Sequence, residues 1–345
     1  RLFPQFFESA NKNGLWIFHR DWVIPTYFQQ KLHLSKPKGI VIISHGLAEH
    51  VQRYEHLAQQ LNAKGFNVYG IDHQGHGCSD GDRSYVENFQ HYVNDLLYFS
   101  QGVAEEWDEF QIPIFLFGHS MGGLIATYTA LKSQKEAKHN KDSKFIFDGG
   151  VILSSPFFGV APEADIGSKY QIVEKSLRFL SNTVPKLRCI ALDNRGLSHD
   201  PKVLYRLQRD PLHHTDMICI RTIQEIVDAA SSMMTECRNV EYPYLLLGGH
   251  SDPLCNPSKW KVFHDNTLSD DKELIMFEGL YHECLNETEP HQKQVCIKIV
   301  EWLEQRCQIY EHEKRQLITR PYADSTILNV MHDNDMEEQT HPFAD

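Results

Sequence analysis

The stretch 112–127, IPIFLFGHSMGGLIAT, constrains the fold of this chain more than any other part of it. Ile114-Phe115-Leu116-Phe117 is apolar on both faces, the signature of a strand buried inside a parallel sheet. Gly118-His119-Ser120-Met121-Gly122 then reads G-x-S-x-G, and Gly123-Leu124-Ile125-Ala126 suits a helix packed tightly on that sheet. In such a strand–turn–helix the serine sits on a strained turn with its oxygen lifted toward solvent, and the glycines leave room for neighbouring backbone. The helix N-terminus behind Ser120 favours developing negative charge. With glycine near 7% of residues, the pattern alone arises by chance about 0.1 times in a chain this long. The flanking strand and small-residue helix start make it specific. The competing reading is an inert serine in a Gly-rich turn.

The rest of the chain supplies the sheet around this stretch. Leu15 to Phe18 and Trp22 to Ile24 read as two antiparallel strands about His19–Asp21, with 27–34 extending the second; residues 1–13 are a mixed lead-in. Ile40 to Ile43, Val68 to Ile71, Gly149 to Ser154, Tyr244 to Leu247 and Glu273 to Phe277 are further strands. Helices are expected at 53–64, at 88–107 with Phe89, Val93, Leu96, Leu97 and Val103 toward the sheet, and at 292–309. Residues 132–143 read as a polar surface connection. The loop 72–81, DHQGHGCSDG, holds two histidines with acidic neighbours, but its glycines mark a turn and its spacing matches no zinc pattern. No metal and no cofactor are expected.

The 345 residues are enough for one large α/β domain with an insertion. A formal net charge of −12 argues against a nucleic-acid partner. No apolar run approaches the roughly 20 residues of a membrane-spanning helix. Eight cysteines without C-x-x-C or zinc spacing fit a reducing compartment. The expected location is the cytoplasm or the membrane periphery.

From about residue 160 to 240 the strand–helix rhythm stops. Ile172, Val173, Ser176, Leu177 and Leu180 recur at helical spacing, and 217–234 reads as a longer amphipathic helix. An insertion here lies over the carboxyl edge of the sheet, above Ser120, and is expected to be a cap or lid. Its stretch 161–214 carries nine Lys/Arg against six Asp/Glu, in a chain that is acidic overall. A mildly basic cap with apolar spots suits an amphiphile or a lipid head group; a solvated helix face is the equal alternative. The organisation expected is a core of 1–159 and 241–311, a helical cap at 160–240, and a polar tail at 312–345.

The chemistry gathers at strand ends. Ser44-His45-Gly46-Leu47 follows one strand and places free backbone N–H groups at the carboxyl edge, where an acyl-transfer enzyme needs donors for its oxyanion. The donors assigned are the N–H groups of Leu47 and Met121. Asp252, in GGHSDP, and His282, in GLYHE, follow the last two strands. Ser120 as nucleophile, His282 as proton carrier and Asp252 as its orienting partner occur in the chain order of a known hydrolase fold. Asp265, Asp270 and Asp271 lie further from a strand end. Cys255 and Cys284 neighbour Asp252 and His282 in sequence, which marks both as targets for thiol reagents.

SHGLAEHVQRYEHLA, DHQGHGCSDGDR, FLFGHSMGGLIA, ILSSPFFGV, DPLHHT, LLLGGHSDPLCNP and GLYHECLNE together resemble the monoacylglycerol lipase and lysophospholipase branch of the α/β-hydrolases, the serine aminopeptidase S33-like group, over residues 14–310. The resemblance implies an α/β-hydrolase fold with a helical cap over an acyl tunnel. It implies Ser120, Asp252 and His282 as triad and Leu47 and Met121 as oxyanion donors. The expected activity is cleavage of a monoacylglycerol-like ester through an acyl-serine. The alternatives are a lysophospholipase or a broader carboxylesterase or acyltransferase. The partner expected is a lipid or amphiphilic ester, with transient membrane contact through the cap. Peptidase activity, and a catalytically silent binding protein on the same fold, are the remaining readings. The second is disfavoured because all three triad members are present.

Overall fold

The computed structural model describes residues 5–8, 14–140, 143–160, 170–191, 193–214 and 217–319; at 5–8, 26–28, 170–176, 189–190 and 317–319 only the backbone is described. In chain order the strands are β1 (Gln5–Glu8), β2 (Trp16–Trp22), β3 (Gly39–Ser44), β4 (Phe66–Ile71), β5 (Ile114–His119), β6 (Gly150–Ser154), β7 (Arg188–Ile190), β8 (Ile218–Cys219), β9 (Tyr244–Gly249) and β10 (Lys272–Phe277). The helices are α1 (Thr26–Lys31), α2 (Glu55–Ala63), α3 (Phe89–Trp107), α4 (Met121–His139), α5 (Tyr170–Thr183), α6 (Pro201–Leu207), α7 (Ile220–Glu236), α8 (Pro257–Asn266) and α9 (Glu289–Thr319).

Side-chain alternation in the central strands builds two cores. In β3, Ile40 and Ile42 join one buried cluster while Val41 and Ile43 join the other; in β5, Ile114 and Leu116 divide from Phe115 and Phe117 in the same way. The first cluster takes Tyr92 and Leu96 from α3, Leu124 from α4 and Ile226 from α7. The second takes Leu57 and Leu61 from α2 and Val295, Ile299 and Trp302 from α9. Full burial of such a side chain contributes about 1.5–3 kcal/mol. Helix α4 is buried almost all round from Met121 to Leu131, as a helix sandwiched between a sheet and other helices must be.

The eight-stranded sheet runs β1-β2-β4-β3-β5-β6-β9-β10. From β4 to β10 neighbours are parallel; β1 and β2 add on antiparallel. The chain goes from β3 outward to β4, then returns across β3 to β5. The strand order therefore reverses at β3/β5, and the crevice beyond their carboxyl ends is where an open sheet binds its ligand.

Several expectations are corrected. The two strands read at 15–24 are one strand, β2, paired with β1 in the lead-in and with β4. His19 to Trp22 stay extended because they pair residue by residue with Ile71 to Val68 of β4. Residues 26–31 form a helix, not a strand extension, after Pro25. The presumed connection at 132–143 is largely helix, because α4 runs to His139 with Lys135, Lys138 and His139 on its exposed face. The insertion holds a short antiparallel pair, β7–β8, beside its helices. Its longest helix starts at Ile220 rather than 217, since Ile218 and Cys219 pair with β7. Helix α9 continues past the expected tail boundary to Thr319, and 320–345 lie outside the described residues. No helix among the described residues is long and apolar enough to cross a membrane.

Candidate active site

Ser120 ends β5 and opens α4 with φ 53 and ψ −120, a conformation that L-residues rarely adopt. Close packing imposes this turn. A Cβ on Gly118 would lie 2.4 Å from Gly122 O, and one on Gly122 would lie 2.2 Å from Ser44 O. Both glycines of the motif are thus required by backbone approach. The turn is held by Ser120 N–H donating to Ser154 O (3.0 Å), while Ser120 O accepts from Gly123, Leu124 and Phe157. Met121, next in line, carries one of the N–H groups at the helix start that have no partner within the helix.

The loop after β3 brings Leu47 to the same place and is braced by buried polar groups. His45 Nε2 accepts from His73 N–H (2.9 Å), so its Nδ1 carries the proton and donates to Gly46 O (2.7 Å). Burial lowers the His45 pKa to about 4, which keeps the ring in this neutral form. Glu49 Oε1 accepts from Gly46 N–H (2.5 Å) and from Tyr54 OH (2.8 Å). Arg53 donates to Glu49 Oε2 (2.6 Å) and clamps both oxygens of Glu283 (2.9 and 2.7 Å). Burial raises the two carboxyl pKa values, but the Arg53 guanidinium outweighs it and holds both below the ordinary 4.5. The cluster sets one guanidinium against two carboxylates and joins the β3 loop to the residue after His282.

Asp252 follows β9 and His282 follows β10. The imidazole Nδ1 lies 2.7 Å from Asp252 Oδ2, and both side chains are buried. Asp252 Oδ1 accepts from the N–H groups of Leu254 (2.8 Å) and Cys255 (2.9 Å), which fixes the carboxylate. The two loops cross so tightly that a Cβ on Gly249 would meet Leu280 O at 2.1 Å. Burial lowers the His282 pKa, but Asp252 raises it more, and it stands well above 6.5.

Ser120, Asp252, His282, Leu47 and Met121 all line one cavity of about 1230 Å³. The structure thus brings every candidate residue from the sequence to one place. Such a set of a serine on an elbow, an imidazole held by a carboxylate and N–H groups beside the serine is suited to acyl transfer. Asp265 pairs with Lys261 and Asp271 with Arg306, away from the cavity. His73 and His76 sit in the core, where burial pushes the His76 pKa down to about 3.

Residues that sequence reading missed stand around this set. Ser155 Oγ donates to His282 O (2.8 Å), so the residue after β6 carries the His282 loop. Its signal was position alone: it ends a strand in the same sheet. Arg53 and Glu49 stand four apart, a spacing that by itself offers only a local salt bridge at a helix start, and no local pattern marks Glu283. Cys255 has its sulfur within 4.8 Å of ligand atoms of Asp252 and His282. Burial raises its pKa, and it raises that of Cys284 to about 12, so neither thiol is activated.

The chain is similar to known proteins over most of its length. The family model described as serine aminopeptidase, S33 matches residues 35–289. The monoglyceride lipase of Rattus norvegicus is 31% identical, over 86% of this chain and 89% of that protein. Among solved structures, a Paleococcus ferrophilus monoacylglycerol lipase superposes with a TM-score of 0.67 at 28% identity, covering 84% of this chain and 99% of that one. A soluble variant of the Saccharomyces cerevisiae monoglyceride lipase, solved with a substrate analogue, gives 0.72 at 23% identity, covering 88% and 94%. With its sheet order and elbow, the chain belongs to the serine aminopeptidase S33 family, in the monoacylglycerol lipase branch of the α/β-hydrolases.

Proposed function

We propose that this protein is a serine hydrolase that cleaves the ester of a monoacylglycerol, with Ser120, His282 and Asp252 as its triad. The observation that carries the reading is the His282–Asp252 pair at 2.7 Å opening onto the cavity that holds Ser120. Ser120 attacks the ester carbonyl as His282 takes its proton. Asp252 holds the imidazole tautomer and stabilises the cation that forms. The N–H groups of Leu47 and Met121 receive the oxyanion. Collapse expels the alcohol, which takes the proton from His282. Water, activated by the same imidazole, then releases the fatty acid and frees Ser120.

The cavity lining mixes two kinds of side chain. Phe157, Ile223, Ile226, Val227 and Leu254 are apolar and suit an acyl chain; Glu49, Arg53 and Glu283 are polar and suit the alcohol. These polar groups favour a neutral head group. A phosphodiester would meet two carboxylates and a guanidinium already engaged by them. Segment 160–240 acts as the lid, since it supplies Ile223, Ile226 and Val227 to the cavity wall. It also carries exposed apolar side chains, Phe179, Leu180, Val184 and Leu187, through which the protein meets a lipid surface.

The test compares fatty-acid release from 1-monooleoylglycerol and from oleoyl lysophosphatidylcholine, with Ser120→Ala as the blank. Faster turnover of the neutral lipid is expected, with loss of about 10⁴-fold or more in the variant. Faster turnover of the phospholipid overturns the head-group reading in favour of a lysophospholipase. Release that persists in Ser120→Ala overturns the triad.

A further inference from the structure

His213, in the Asp210-Pro211-Leu212-His213-His214 segment of the insertion, is a side chain the mechanism does not use. It is 7% exposed and lines the cavity of Ser120. Neither ring nitrogen has a hydrogen-bond partner. Buried polar groups are almost always paired, and an apolar side chain would fill the same space without the desolvation cost. An unpaired imidazole in a ligand cavity therefore points to a partner that arrives with the ligand.

Its position is set by the oxyanion loop. Asp210 Oδ2 lies 2.7 Å from His50 Nε2, and His214 N–H donates to Ala48 O (2.8 Å). His213 lies between these two tethers, so it is held over the loop that carries Leu47. Glu49, Glu283, Arg53 and Asp210 supply the charges around it. It therefore stands with the polar groups of the cavity lining, which suit the alcohol part of the ester, rather than with the apolar ones. Burial pulls its pKa below 6.5, so the ring is neutral at pH 7 and offers one N–H donor and one bare nitrogen acceptor. A hydroxyl group, which both donates and accepts, matches either nitrogen.

We infer that His213 is a specificity residue that hydrogen-bonds a hydroxyl of the polyol head group of the ester. This rests on the monoacylglycerol reading above. The experiment measures kcat/KM for 1-monooleoylglycerol and for methyl oleate, which shares the acyl chain but has no polyol. The wild type is compared with His213→Leu and His213→Gln. The ratio of glyceride to methyl ester is expected to fall about tenfold in His213→Leu, an effect the size of one lost hydrogen bond. It should recover in His213→Gln, whose amide again offers a donor and an acceptor. Loss of structure alone would lower both substrates together, so an unchanged ratio in His213→Leu overturns the assignment. The same holds for a ratio that falls equally in both variants. A wild type that cleaves methyl oleate through Ser120 but leaves the glyceride intact overturns the monoacylglycerol reading itself. That result is seen before any His213 variant is made.

Discussion

At the scale of single residues, the site depends on opposed effects acting on one imidazole. Burial disfavours charge on His282, and Asp252 favours it; Asp252 wins and the pKa stands well above 6.5. In the proposed mechanism only the neutral ring takes the Ser120 proton. Activity is therefore lost as pH falls through this raised pKa and recovered as pH rises. For a soluble short-chain ester, kcat/KM is expected to show an acid limb with its midpoint above 6.5. A midpoint below that value would mean that burial, not Asp252, governs the ring. Backbone conformation matters as much as charge here. Ser120 keeps a positive φ because the close approach of Gly118 and Gly122 to neighbouring backbone leaves the turn no relaxed alternative.

At the scale of elements, Arg53 is the tie between the loops that follow β3 and β10. It is 12% exposed and bonds Glu49 and Glu283 at once. Replacing it with methionine keeps most of the packing but strands two buried carboxylates. Removing one partner of a buried ion pair typically costs about 3–5 kcal/mol. Arg53→Met is expected to lose about that much in denaturant unfolding, and adding Glu283→Gln to recover part of it. The pH dependence follows from the sign of the shifts. Both carboxyls are held below 4.5, so their contribution is present above that pH and is lost as pH falls through the lowered values. Without Arg53, burial is opposed only by neighbours such as Tyr54 and His119, and the loss begins at higher pH. Equal stability of wild type and Arg53→Met from pH 4 to 8 would refute the tie.

At the scale of the whole molecule, the sheet is a platform and the insertion adds Ile223, Ile226 and Val227 to the cavity lining. Phe179 is 67% exposed, and Leu180, Val184 and Leu187 lie open nearby in sequence. Single exposed apolar residues need no explanation, but four on one short stretch favour a lipid surface. Phe179→Ser with Leu180→Ser is expected to weaken binding to phosphatidylcholine vesicles severalfold in a flotation assay. Turnover of a soluble ester should change little by comparison. Vesicle binding that survives the double substitution would move the contact elsewhere.

Much of this architecture was legible in the chain itself. Strands buried on both faces, the small-residue turn around Ser120 and the serine, aspartate, histidine order are local or sequential patterns. Period-2 and period-3.6 spacing, glycine chemistry and strand-end position encode them directly. The antiparallel pair misread at 15–24 shows the limit: apolar alternation reveals a strand but not where it turns or what it pairs with. The ion cluster, the Ser155 hold on His282 and the seat of His213 were decided only in three dimensions. Arg53 and Glu283 are 230 residues apart, and Ser155 and His282 are 127 apart. No periodic signal records such partners, because they depend on which loops the parallel crossovers bring to one edge of the sheet. Sequence determined the elements and the order of the chemistry; tertiary packing determined which polar groups stand around it, because burial and pairing depend on neighbours distant in the chain.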